Sequence, residues 1–120
     1  MSSSTINSYE DLDKVIAKAF PDADIRSRAI ALLGKYGTED FHREISRVRA
    51  AIIKVAQADV EKLQGFVDIA CSDYRDLLVM AEYEQQSRNY SLKKNDPQKH
   101  QRLVEKDERE YSDWVKKMTE

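Results

Sequence analysis

Apolar residues recur along this chain at spacings of three and four, the period of an amphipathic helix rather than the alternation of a strand. Tyr9, Leu12, Ile16 and Ala19, widened by Val15 and Phe20, predict a first helix. Ser8 stands in N-cap position with Asp11 three residues later, and Pro21 ends the run. Ile25, Ala29, Leu32, Leu33 and Tyr36 share a second face that starts after Asp22 or Asp24, and Gly37 suits a left-handed C′ position. Thr38 then reads as the cap of a third helix carrying Phe41, Ile45, Val48, Ile52 and Val55.

From Val60 the stripe resumes out of phase. The step from Val55 is five residues, so the two stripes cannot line one face of a straight helix. A turn at 57–59, with Asp59 as N-cap, makes them an antiparallel helical hairpin. Val60, Leu63, Val67, Ala70, Tyr74, Leu77 and Ala81 form an unbroken heptad series. Periodicity is lost over 86–96, which reads as a loop. Asp96-Pro97 opens a last helix with the sparse stripe Leu103, Val104, Tyr111, Trp114, Val115 and Met118, interrupted by Asp107 and Glu108.

Composition supports helices throughout. The 120 residues hold three Gly and two Pro, too few for the turns of a strand-rich domain. Leu, Ile, Val and Phe make up 27 residues, enough for a modest core. The expectation is an all-α fold: one domain over 8–120, a compact bundle of about five helices. MSSSTINS has neither the basic nor the apolar region of a secretory signal, so 1–7 reads as a disordered tail. No apolar run is long enough to span a bilayer. The single Cys71 cannot form an internal disulfide, which suits a reducing cytoplasm.

Candidate chemistry is sparse. Glu39 and His42 form one Glu-x-x-His pair, whose helical spacing could present a carboxylate and an imidazole to a metal. The second such motif of a di-metal bundle is missing, and acids also suit an ordinary helix start. Cys71 has no basic neighbour within one helical turn to activate it. In the heptad frame Asp73, Asp76 and Glu82 fall off the seam, where solvation leaves a carboxylate ordinary. No Gly-rich phosphate loop is present and no cofactor is implied.

Charge is uneven although the net value is only −2: segment 58–85 carries −5 and segment 86–106 carries +4. Arg88, Lys93, Lys94, Lys99 and Arg102 could fold back toward the acidic arm or form a small basic patch for phosphate-bearing partners. Only Tyr90 is interleaved as an aromatic, which argues against nucleic acid. The run Leu77–Ala81 is apolar all round a helix and must be covered on several sides, by the C-terminal helix or by another chain.

Residues 47–56 (RVRAAIIKVA), 59–84 (DVEKLQGFVDIACSDYRDLLVMAEYE) and 104–115 (VEKDEREYSDWV) resemble a family of small bacterial proteins with a DYRD-x-L-x-x-AEY pattern and a D-x-x-x-Y-x-x-W ending. The resemblance covers about the C-terminal two thirds of the chain. It implies a helical fold and a bacterial cytoplasmic setting, and it carries no activity, cofactor or catalytic residue with it. The family pattern has Gly where this chain has Ala58, which weakens the expectation of a turn there.

These readings favour a non-catalytic helical interaction or regulatory module, binding another protein or itself as a homodimer. Val79, Met80, Tyr83 and Trp114 are its candidate contact residues. The alternative is an enzyme or metal-binding protein that gathers Glu39, His42, Asp73, Tyr74 and Asp76. The third reading is a phosphate or nucleic-acid binder through 88–102.

Overall fold

The computed structural model describes residue 6, residues 8–89 and residues 91–120. Among these the fold is all-α, with eight helices and no strand. Helix α1 (Tyr9–Ala19) begins where expected, with the Ser8 hydroxyl accepting from the Asp11 amide at 3.1 Å. Helix α2 (Ala23–Leu33) is capped by Asp22, whose carboxylate accepts from the amides of Asp24 and Ile25. Ile6 is fully buried, so the domain reaches into the segment expected to be a tail; residues 1–5 and 7 lie outside the described residues.

The third helix does not start at Thr38. Helix α3 (Ile45–Val55) begins seven residues later, and the Thr38 hydroxyl bonds back to the Lys35 carbonyl at 3.4 Å. Residues 34–44 form an irregular loop, because Tyr36 and His42 are drawn into the body together and bend the chain around them. Phe41, expected on the buried stripe, is 65% exposed. Helix α3 packs against α1 and, once the chain has turned, against the next two helices. It therefore buries Ala50, Ala51 and Ile53 as well as Val48 and Ile52.

The hairpin turn is present. Gln57 and Ala58 are left-handed, at φ 55° and 58°, and Asp59 caps helix α4 (Val60–Ser72) through the Glu61 amide. A left-handed conformation brings an L side chain's Cβ against the following carbonyl, which explains why glycine suits position 58. Ala58→Gly is expected to stabilise the protein by about 0.5–1 kcal/mol in urea unfolding. An unchanged or lower midpoint would contradict the left-handed turn.

The heptad series is not one helix. Asp73 leaves helical geometry (φ −155°, ψ 105°), and its carboxylate accepts from the Arg75 amide to start helix α5 (Tyr74–Glu82). Burial still follows the series at Val60, Leu63, Val67, Ala70, Leu77 and Ala81, with Tyr74 half-buried at the break. A side chain that can cap at the seam's edge lets the chain change direction without exposing the stripe.

The expected loop is also partly helical. Helix α6 (Glu84–Arg88) and helix α7 (Leu92–Asn95) lie against helix α8 (Pro97–Thr119), whose cap is Asp96 as expected. Helix α8 lies along α1 and also reaches α5. No helix among the described residues is long and apolar enough to cross a membrane.

Candidate functional site

The Glu39–His42 pair does not share a helical face, because both residues lie in the 34–44 loop. The His42 ring stacks on Tyr36 at 4.4 Å, and its Nδ1 accepts from the Gly37 amide at 2.7 Å. Tyr36 is equally committed: its hydroxyl donates to the Arg43 carbonyl at 2.7 Å and accepts from the Arg43 amide. Both Nε and Nη2 of Arg49 donate to the Tyr36 carbonyl. Gly37 sits at φ +113°, and a Cβ there would come within 2.9 Å of Arg49 Nη2 and 3.1 Å of Ile45 Cγ2. The imidazole thus clamps a loop, with one nitrogen already used. Glu39 is exposed. Among the described residues no group of three or more His, Cys, Asp or Glu is placed to hold a metal ion.

The break between α4 and α5 opens beside this loop as a groove of about 280 Å³, lined by Tyr36, Phe41, His42, Cys71, Asp73 and Tyr74 among others. Three members of the alternative catalytic set, His42, Asp73 and Tyr74, therefore meet, while Glu39 and Asp76 do not line the groove. Two of them are already engaged, His42 through Nδ1 and Asp73 through Arg75. The Arg75 guanidinium, at 3.1 Å from each Asp73 oxygen, together with the Arg75 amide, holds that carboxyl below the usual carboxylate range. Burial pushes the Cys71 thiol up, and Asp68 and Glu39 add to the effect, so it stays protonated and faces the Lys35 carbonyl at 3.7 Å. A thiol kept from ionising is a poor nucleophile. The groove can hold a side chain or small apolar group.

Helix α5 divides its apolar run between two environments. Leu77, Leu78 and Ala81 are buried, whereas Val79, Met80 and Tyr83 are 39%, 39% and 41% exposed. Helix α8 touches α5 and brings the buried Tyr111 close to Glu82, and Trp114 is half-buried against the core beside Tyr111 rather than exposed. Met80 also borders a groove of about 390 Å³, which Lys54, Glu84, Ser87 and Arg88 line from α3 and α6.

Glu82, expected off the seam on a solvated face, and Asp107, expected only to interrupt the last stripe, are both interior. Glu82 is 8% exposed and binds Arg47 of α3 bidentately, at 2.7 Å to Nε and 2.5 Å to Nη2; Glu44 takes the Arg47 Nη1 at 2.9 Å. Asp107, which interrupts the last stripe, is 3% exposed and reaches from α8 to the start of α6. Its oxygens accept from the amides of Gln85 and Gln86 at 2.9 and 3.1 Å and from the Gln86 side chain at 3.0 Å. The carboxylate therefore acts as an N-cap supplied from 22 residues away. Neither partner is visible from local spacing, since Arg47 and Gln85 are remote in sequence. The Tyr111 phenol, next to the Arg47–Glu82 pair, is pushed well above its ordinary value, first by burial and then by Glu82.

The basic segment folds back only at one point. Arg88 pairs with Glu84 at 2.8 Å, while Lys93 and Lys94 of α7 and Lys99 and Arg102 of α8 are exposed and make no ion pair among the described residues. Tyr90, the aromatic expected within this patch, lies outside the described residues. Compared with protein-family models, with curated proteins and with solved structures, the chain finds no match.

Proposed function

We propose that the protein is a non-catalytic helical interaction module of the bacterial cytoplasm, with the outer side of α5 as its contact surface. One observation carries this reading. Val79, Met80 and Tyr83, at spacings of three and four residues, leave a contiguous apolar stripe open on a helix whose other side is core. Isolated exposed hydrophobics are ordinary, but a clustered stripe beside a groove is the usual form of a docking surface. The polar rim is supplied by Asp76, Lys54, Glu84 and Arg88, so a partner would meet an apolar centre within a ring of charges. The enzyme reading has less support, because Arg75 holds Asp73, His42 clamps its own loop, and Glu39 and Asp76 do not line the groove where the other two meet.

Replacing Tyr83 with a photo-reactive analogue tests this reading in cells. Irradiation is expected to yield one adduct of defined mass that is lost in a Val79→Asp background and absent when the analogue stands at the exposed Glu105. Equal labelling from both positions, or none from position 83, would overturn it.

A phosphate-bearing ligand is the second reading, favoured by Lys93, Lys94, Lys99 and Arg102, which are exposed and make no ion pair among the described residues. It requires retention on heparin that is lost when Lys93, Lys94 and Lys99 are replaced together.

A further inference from the structure

We infer that the partner of the α5 surface is a second copy of this chain, docked antiparallel about a two-fold axis between Val79 and Met80. The inference rests on the interaction reading above and adds the identity and register of the partner. A two-fold interface is self-complementary: whatever residue i meets at j, j meets at i. An axis between Val79 and Met80 sets position 76 of one copy level with position 83 of the other. Asp76, exposed and without an ion pair among the described residues, then arrives at the mouth of the groove beside Met80. That groove is lined by Lys54, Glu84 and Arg88; Arg88 pairs with Glu84 at 2.8 Å, which leaves Lys54 as the cation for Asp76 to meet. Lys54 makes no ion pair among the described residues; its ammonium lies 5.8 Å from the centre of the Tyr111 ring.

The symmetry makes each contact twice. The Asp76–Lys54 approach therefore occurs on both sides of the axis. Val79 and Met80 of the two copies meet at the axis, with Tyr83 flanking them. An acidic amphipathic helix from another protein would need the same features: two apolar residues placed three and four positions after an acid. This chain already carries them at Asp76, Val79 and Met80. With an apolar centre of three residues per side, the pairing belongs among weak, transient interfaces, which bury less than about 1,200 Å².

Sedimentation equilibrium of the full chain from micromolar to millimolar concentration reads the association directly. The mass is expected to rise from that of the 13.9 kDa chain toward twice that value. Asp76→Lys should weaken the dimer by about tenfold or more through like-charge contact with Lys54. Adding Lys54→Glu to it should restore association, and circular dichroism would check that each variant is folded. A monomer at every concentration overturns the second copy as partner while leaving the Tyr83 adduct to decide the interaction reading separately. A dimer that survives Val79→Asp uses another face and overturns the inference. A dimer lost with Val79→Asp but indifferent to both charge changes overturns the register.

Discussion

Glu82→Ala is expected to lower the unfolding free energy by about 3 kcal/mol, the largest effect of any single polar substitution considered, because it strands a cation in the interior. Arg47 has only 21% of its side chain exposed, and Glu82 supplies two of its three carboxylate contacts. Glu44 remains to offset part of the loss from the rim, which places the effect at the lower end of the range for broken buried pairs. The double variant Glu82→Leu with Arg47→Met removes both charges and should recover most of the deficit. Urea unfolding of the single and double variants measures the difference. A single-variant loss below about 1 kcal/mol would mean that water reaches Arg47 and that the pair is not interior.

Asp107→Ala is expected to cost about 2–3 kcal/mol, because it leaves the Gln85 and Gln86 amides without their carboxylate at a buried contact. Its second consequence is local. Helix α6 has five residues and no side-chain cap of its own, too short to persist without tertiary support. Amide exchange at Gln85 and Gln86 should therefore accelerate well before global unfolding, while the amides of α3 stay protected. If α6 amides exchange as slowly in the variant as in the parent protein, the Asp107 cap is not what holds the segment.

Both predictions bear on the candidate surface, because the two carboxylates determine how α5 and α6 sit. Glu82 ties the last turn of α5 to α3, and Asp107 ties the first turn of α6 to α8. Between them lies Tyr83, whose backbone (φ −124°, ψ 38°) ends one helix and begins the next. The exposed stripe and the Lys54–Arg88 groove therefore stand on a part of the fold anchored at both sides. A preorganised surface of this kind loses less entropy on docking than a mobile one.

The helical class, the caps at Ser8, Asp59 and Asp96, a second helix start at Asp22 or Asp24 and the turn before Val60 follow from the sequence alone. Each depends on a side chain within three residues of the amide it serves or on the phase of the apolar stripe. So does the division of α5, since the phase that buries Leu77 and Ala81 turns Val79 and Met80 outward. Only the tertiary structure decided the rest. Asp73 and the 34–44 loop depart from helical periodicity because long-range packing and local caps outweigh a propensity difference of a few tenths of a kcal/mol per residue. Glu82 looks like a solvated acid to any local rule, whereas Asp107 stands on the last apolar stripe, three residues after Val104 and four before Tyr111, with nothing nearby in sequence to pair it. Their interior position comes from partners 35 and 22 residues away, and an ion pair or cap formed across helices leaves no mark on the spacing of either helix.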